Sequence, residues 1–261
     1  MVLPRSHVLP FYAGPGSLYG RNLVEVGRRI AAQEGSLCLL DIGANVGDTT
    51  LHVLDQARGT AVCVEPDPRW LDYLTTNVGH LPNVEIEPSA VVGSEPEGGL
   101  RLIHEAVGTS RLERAERGDT LVTITTNELL RRHPQLAGVR LIKSDTDGWE
   151  VMLMPHLART FVASRPVLFF EFDPRLTALT TPELEPSDLW AVMADLGYGR
   201  AVVWDNGGRL LGAEDSVDLR HRTSELAAGR RTLGYDFWDV AMCHLEDPVG
   251  IRVLEEMSGV S

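Results

Sequence analysis

The sequence predicts an α/β fold in which a mostly parallel, seven-stranded sheet carries helices on both faces. Short apolar runs alternate along the chain with segments of helical periodicity, the order expected of repeated strand–helix units. Glycine-containing turns follow several of the apolar runs. With 261 residues, 43% of them apolar and 23% charged, the chain has the composition of a globular protein that buries a large core.

The first half of the chain repeats a strand–helix unit. Apolar spacing predicts a leading helix, which Gly35 ends. Pro88 interrupts the third strand, and proline is not tolerated in the middle of a central strand. The elements predicted here are helices over residues 19–33, 48–57 and 69–78, strands over 37–42 and 61–65, and a third strand over 84–86 and 90–92.

The second half continues the alternation. Residues 93–118 are polar and uneven, and no element is predicted for them. Thr126 is the expected cap of a helix, and the turn Asn206-Gly207-Gly208 indicates a hairpin. Residues 212–234 are expected to form a long polar loop of the kind that serves as a lid. The other predictions are helices over 125–132, 148–157 and 184–196, strands over 139–143, 167–172, 201–204, 209–211 and 237–243, and a terminal helix.

The turn after the first strand is the first candidate binding site, because ligands bind at the carboxyl edge of such sheets. Gly43 and Gly47 let the backbone approach a ligand closely. Their G-x-x-x-G spacing differs from the G-x-G-x-x-G of dinucleotide sites. Asp41 and Asp48 flank the turn with negative charge, which disfavours a phosphate and favours an ammonium or sulfonium group.

The turn after the second strand completes this prediction. Glu65 lies where an acid can accept hydrogen bonds from both hydroxyls of a ribose. Asp67 is expected to meet the polar edge of an adenine, and Trp70 either offers that base an apolar face or packs in the core. The two turns together point to S-adenosylmethionine.

Five segments are spread over roughly residues 38–174: 41–50 (DIGANVGDTT), 64–67 (VEPD), 109–112 (TSRL), 141–150 (LIKSDTDGWE) and 166–174 (PVLFFEFDP). Together these segments resemble the FkbM-type methyltransferases. The resemblance implies the class I methyltransferase fold, which is Rossmann-like, with S-adenosylmethionine as methyl donor and S-adenosylhomocysteine as product. It also implies O-methylation of a sugar, a polyketide or another specialised metabolite. We expect one domain over 1–261, with an N-terminal lid or helix over 1–35, a cofactor-binding core over 36–174 and a C-terminal half over 175–261.

The fourth-strand motif departs from the family pattern K-I-D-V-E-G. Here Asp145 is kept, Thr146 replaces the valine and Asp147 replaces the glutamate. We expect Asp145 and Asp147 to be catalytic, with a carboxylate acting as base toward the acceptor hydroxyl. The alternative is that Asp147 caps the next helix and Asp145 only orients the donor. The residues expected to bind the donor are Asp41, Gly43, Asn45, Gly47, Asp48, Glu65, Asp67, Ser89, Ala90 and Asp145.

Two other functions remain open at this point. A nicotinamide-dependent oxidoreductase also uses a glycine turn followed by an acid, and a catalytically silent protein can keep the cofactor fold. Asp145, Asp147, Glu150 and Glu171 offer oxygen ligands to a divalent metal, but no spacing demands one and none is predicted.

Charge and composition restrict the partners. The net charge of −13 disfavours nucleic acid, so a small-molecule acceptor is expected. Three scattered cysteines and the lack of a long apolar run favour a cytoplasmic protein with no membrane span, and a homo-oligomer is compatible with the sequence. Residues 8–19, with Phe11, Tyr12 and Tyr19, either cover the cleft or pack on the edge of the sheet.

Overall fold

The structure is a computed structural model that describes residues 1–5, 7, 9–12, 16–94, 99–104, 110–115, 120–226 and 233–259. The strands are β1 (Leu37–Ile42), β2 (Gly59–Val64), β3 (Val84–Glu87), β4 (Ala90–Val92), β5 (Leu100–His104), β6 (Ser110–Arg114), β7 (Thr123–Thr125), β8 (Leu141–Ser144), β9 (Val167–Phe172), β10 (Arg200–Asp205), β11 (Leu210–Asp215) and β12 (Trp238–Cys243). The helices are α1 (Leu9–Tyr12), α2 (Arg21–Glu34), α3 (Asp48–Gln56), α4 (Pro68–Val78), α5 (Thr126–Arg132), α6 (Glu150–Thr160), α7 (Pro174–Thr180), α8 (Asp188–Asp195), α9 (Ser216–Leu226) and α10 (Pro248–Ser258), with a 3-10 helix at Pro134–Gly138.

The main sheet confirms the predicted α/β fold and corrects the number of strands. Its order is β11-β10-β12-β9-β8-β1-β2-β3, which makes eight strands rather than seven. The five strands from β9 to β3 pair in parallel, whereas β12 is antiparallel to both β9 and β10, and β11 is antiparallel to β10. The carboxyl ends of the parallel strands therefore meet at one edge, where ligands bind in such sheets.

Two apolar layers cover the two faces of the sheet. On one face, Leu39 and Phe169 belong to the same buried cluster as Val26 of α2 and Val253 of α10. The cluster on the other face joins residues of the sheet to α5, α6 and α8. Burial of both faces explains why the central strands read as continuous apolar runs.

Three helices start with the same two residues. Asp67, Asp173 and Asp247 each precede a proline, and each side chain accepts a hydrogen bond from the backbone N–H two residues later. Proline suits the first helical position because its missing N–H has no partner there in any helix. This signal can be read from the sequence, although α7 was not predicted.

The third strand was predicted wrongly. Residues on either side of Pro88 form two separate strands: β3 pairs with β2 in the main sheet, whereas β4 pairs in parallel with β7. The proline thus marks a change of sheet. The unassigned polar region contains the antiparallel hairpin of β5 and β6.

Two smaller corrections concern helices. Thr125, not Thr126, caps α5, since its hydroxyl accepts from the N–H of Glu128 at 3.2 Å. The long loop predicted over 212–234 is instead occupied by the end of β11 and by α9, and residues 227–232 lie outside the described residues. No helix in the described ranges has both the length and the apolar character needed to cross a membrane.

Candidate active site

A cavity opens beyond the ends of β1, β2 and β8. Its wall is largely apolar, and the polar groups are concentrated on the turns that follow the strands. The lining residues are Ile42, Gly43, Asn45, Val64, Glu65, Pro66, Trp70, Ala90, Val91, Leu102, Ser110, Leu112, Asp145, Thr146, Asp147 and Trp149. We call this space the first cavity.

Glu65 is the buried acid of the first cavity. One carboxylate oxygen accepts from the N–H of Asn45 and the other from the N–H of Asp67, both at 2.8 Å. Only 5% of the residue is exposed, and this burial raises the pKa of its carboxyl to about 7 despite the two hydrogen bonds. Each oxygen keeps a lone pair for a further donor, so the carboxylate can still receive two hydroxyl groups.

The turn of Gly43 brings the ends of β1 and β8 into contact. Its φ is +74°, and a Cβ there would lie 2.0 Å from the carbonyl oxygen of Asp145. No side chain therefore fits at this position. Gly47 also has a positive φ, but its Cβ would meet Leu74 of α4, and the residue does not line the first cavity.

Asp41 lies below the cavity rather than in it, contrary to the expectation that its charge faces the ligand. The side chain is completely buried, accepts from the hydroxyl of Thr50 at 2.8 Å and lies 3.2 Å from Nζ of Lys143. Lys143 Nζ also donates to the carbonyl oxygen of Gly43 at 2.7 Å. Burial alone would lower the pKa of Lys143, but the carboxylates of Asp41 and Asp145 outweigh it and raise that pKa.

Of three other residues expected to bind the donor, Asp67 and Ser89 do not line the first cavity, and Ala90 does. Asp67 is turned away from the first cavity, because its carboxylate caps α4, pairs with Arg69 at 2.9 Å and accepts from Ser110 at 2.6 Å. Burial opposes the ionisation of Asp67, but these hydrogen bonds outweigh it and lower its pKa. Ser89 is buried and donates to Glu87, whereas Ala90 lines the cavity.

Trp70 packs in the core and also reaches the first cavity. Its indole N–H donates to Ser110 at 3.1 Å. The β5–β6 hairpin, to which Ser110 belongs, closes this side of the cavity. Thr109, the first residue of the TSRL segment, lies outside the described residues.

Glu150 holds the loop that carries both expected catalytic residues. Its carboxylate accepts from the N–H of Thr146 at 2.7 Å and from that of Gly148 at 3.0 Å, and burial raises its pKa. Asp147 does not cap α6: its φ is +53°, and the helix begins at Glu150 with Trp149 in the capping position. The capping alternative for Asp147 is therefore wrong.

Asp145, Asp147 and Glu171 bring their carboxylates together. One oxygen from each lies within 4.8 Å of the others. Burial, Asp145 and Asp147 raise the pKa of Glu171 well above its usual value. Three of the four acids that could offer oxygen ligands to a metal thus converge, while the carboxylate of Glu150 holds the loop.

A second cavity adjoins the first, and Asp145 lines both. Asp48 lines the second cavity and not the first, which corrects its expected place beside the donor, and burial raises its pKa. Sequence reasoning missed Asp239, which reaches this cavity from β12. The available signal was an acid inside an otherwise apolar strand. The lining residues are Leu9, Tyr19, Gly20, Asn22, Leu23, Val24, Asp48, Thr49, His52, Lys143, Ser144, Asp145, Phe169, Glu171, Phe237 and Asp239.

The N-terminal segment touches both cavities. Nε2 of His7 lies 3.2 Å from Oδ1 of Asn45, and the His7 ring meets the Trp70 ring edge to face at 5.8 Å. Leu9 and Tyr19 line the second cavity. The side chains of Phe11 and Tyr12, which the sequence also offered to a ligand, lie outside the described residues.

Comparison with known proteins gives one family and several similar folds. A family model described as the methyltransferase FkbM domain matches residues 41–199, more than half of the chain. No curated protein matches the chain.

Among solved structures, the FkbM methyltransferase of Methylobacillus flagellatus KT is 14% identical with a TM-score of 0.39, over 64% of this chain and 40% of that one. The chain thus spans less than half of that protein. A TehB-like SAM-dependent methyltransferase from Corynebacterium glutamicum is 12% identical, with a TM-score of 0.45 over 89% and 91% of the two chains. An O-methyltransferase from Bacillus cereus is 14% identical, with a TM-score of 0.44 over 85% and 80%.

Proposed function

Because the chain belongs to the FkbM methyltransferase family, we propose that it transfers a methyl group from S-adenosylmethionine to a hydroxyl group of a small molecule. One observation carries the proposal. The first cavity combines a buried acid at the end of β2, Glu65, with an apolar wall and with the carboxylates of Asp145 and Asp147.

The first cavity suits the donor at both ends. Glu65 would accept hydrogen bonds from the two ribose hydroxyls, and Trp70, Val91 and Leu112 would pack against the adenine. The carboxylates of Asp145 and Asp147 would lie near the positive charge of the sulfonium. When bound, S-adenosylmethionine supplies an electrophilic methyl group.

The chain itself contributes position and a base. Holding an acceptor oxygen in line with the methyl group is worth up to roughly 7–11 kcal/mol of the barrier in well-oriented reactions. A carboxylate of Asp145 or Asp147 would take the hydroxyl proton, a contribution of about 10²- to 10⁴-fold. Glu150 keeps both carboxylates in place by holding their loop. A divalent cation on Asp145, Asp147 and Glu171 is not part of this proposal.

Family membership supports methyl transfer over the oxidoreductase alternative. A nicotinamide-dependent oxidoreductase has no support beyond the glycine turn and the acid, which the methyltransferase also uses. A catalytically silent protein would keep the cavity and bind the donor without turnover, so only a transfer assay separates it from the enzyme.

The test is methyl transfer from isotopically labelled S-adenosylmethionine to the small molecules of a cell extract, followed by mass spectrometry. We expect labelled methyl ethers. Asp145→Asn or Asp147→Asn should lower turnover by about 10²-fold or more, and Asp188→Asn, exposed on α8, should not. Donor binding without any labelled product across sugars, polyketides, phenols and amines would favour the silent protein.

A further inference from the structure

Two acids lie side by side on neighbouring strands of the sheet, in the wall of the second cavity. Glu171 of β9 and Asp239 of β12 are direct partners in the antiparallel pair, and both line the cavity. Side chains of such partners have Cβ atoms about 4.5–5.5 Å apart, and like charges in these positions destabilise a sheet. When both carboxylates are ionised, their repulsion therefore destabilises the pairing of β9 with β12.

Neither carboxylate forms a salt bridge with a basic group in the ranges that the structure describes. Asp239 accepts a hydrogen bond from Nδ2 of Asn22 at 2.9 Å, and Glu171 has no hydrogen-bond or salt-bridge partner among the residues that the structure describes. Burial and nearby acids raise the pKa of both groups, that of Asp239 to about 7. A positive group between them would relieve this repulsion.

Within the described part of the chain, no basic group of the cavity wall forms a salt bridge with Glu171 or Asp239, although His52 and Lys143 both line the cavity. Asp48 and Asp145 add two more acids. Lys143 is the lysine of the lining, but its ammonium is held toward β1, 2.7 Å from the carbonyl oxygen of Gly43 and 3.2 Å from Asp41. Asp145 also lies 3.9 Å from this ammonium. Among the described residues, Lys143 forms no salt bridge with Glu171 or Asp239, because its close contacts are with Asp41, Asp145 and Gly43.

We propose that the second cavity binds the methyl acceptor and that this acceptor carries an amino group, whose ammonium form lies between Glu171 and Asp239. That the occupant is the methyl acceptor rests on the proposed function, since Asp145 joins this cavity to the one assigned to the donor. The cation site itself does not depend on that assignment.

The same cavity defines the rest of the ligand. Leu23, Phe169 and Phe237 form an apolar side, and Tyr19 adds a third aromatic ring. A small amine attached to an apolar or aromatic body fits both parts, whereas a neutral polyol leaves the acids without a counter-charge.

The test compares 2-phenylethylamine with its neutral analogue 2-phenylethanol. Binding to the full chain is followed by NMR titration at pH 8, with and without saturating S-adenosylhomocysteine. We expect the amine to bind at least tenfold more tightly than the alcohol. Glu171→Gln and Asp239→Asn should each weaken the amine at least fivefold and leave the alcohol unchanged, and Asp188→Asn should change neither.

Three results would overturn the proposal: equal affinity for the two compounds, no binding of the amine, or an amine affinity that Glu171→Gln does not alter. Titration with Mn²⁺ alone gives a further contrary outcome, namely tight metal binding that the amine cannot displace. Failure of S-adenosylhomocysteine to bind, with the amine still selected, would reject the proposed function and keep the cation site.

Discussion

At the scale of single residues, Glu65 shows how burial prepares a group for a ligand. Burial raises the pKa of Glu65 from its ordinary value of 4.5 to about 7. Between these two pH values the folded protein holds a proton that the unfolded chain has released. A ligand that donates hydrogen bonds to the carboxylate favours the ionised form. Binding of such a ligand therefore lowers the pKa and releases a proton.

The affinity for S-adenosylhomocysteine should consequently fall as the pH is lowered from 8 to 6, through the pKa of about 7. Calorimetry at several pH values measures this dependence. Glu65→Gln should flatten it, and Glu255→Gln, half-exposed on α10, should keep it. The same slope in the Glu65→Gln variant would assign the proton to another group.

Gly43 allows a second prediction at this scale, because Gly35 provides a matched control. Both residues have a positive φ, but a Cβ at Gly35 meets nothing within 4 Å. Gly35→Ala should cost about 1–2 kcal/mol of unfolding free energy from backbone strain alone. Gly43→Ala should cost about 1–3 kcal/mol more and should also weaken S-adenosylhomocysteine binding, since the ends of β1 and β8 must separate. Urea unfolding of both variants checks this, and equal costs would contradict it.

At the scale of elements, strands β1 and β8 are joined by a buried ion pair. Asp41 and Lys143 are partners in the strand register. Lys143→Met should cost about 3–5 kcal/mol, because it leaves Asp41 charged and buried without its counter-ion. Adding Asp41→Asn should recover much of that loss, since the amide oxygen of the new side chain can still accept from Thr50. A double-mutant cycle in urea measures the coupling, and additive costs would show that the pair does not interact.

At the acidic pair of β9 and β12, removal of one charge is expected to stabilise the protein rather than destabilise it. Glu171→Gln should raise the melting temperature at pH 8, because it removes a carboxylate that folding holds close to other acids. The gain should disappear below pH 4.5, where Glu171 is protonated in both the folded and the unfolded chain. A melting temperature that falls at pH 8 would mean that Glu171 stabilises the sheet.

The elements that the sequence predicted well are those with local signals. Strands β1 and β9 are apolar runs bounded by turn residues, and both were placed at their observed limits. The β5–β6 hairpin was missed because it is short and half-exposed. The split at Pro88 was missed because only the partner strand, β7, shows that β4 leaves the main sheet.

At the scale of the whole molecule, the two cavities differ in how far they could be predicted. The first lies at the turns that directly follow strands, which the sequence marks locally. Gly43, Asn45, Glu65, Ala90, Asp145 and Asp147 were therefore named, and all line it. The second unites α2, β9 and β12, which are distant in sequence, and Asp239 was not foreseen. For the same reason Asp41 was taken for a ligand group, since its partner Lys143 lies far along the chain.

Charge is the other property of the whole chain. The net charge of −13 predicts a small-molecule acceptor rather than nucleic acid, and the acids of the second cavity concentrate part of this charge at one place. The expectations about nucleic acid, cytoplasmic location and homo-oligomers stay predictions.

Calorimetry with S-adenosylmethionine and S-adenosylhomocysteine is the most direct test of the central claim, that the first cavity holds this donor. We expect one site per chain with a sub-millimolar Kd. Glu65→Ala should weaken binding by about 1.5–3 kcal/mol, roughly 10- to 150-fold, as hydrogen bonds to a charged group are lost. No heat from either compound, or an affinity that Glu65→Ala leaves unchanged, would contradict the claim.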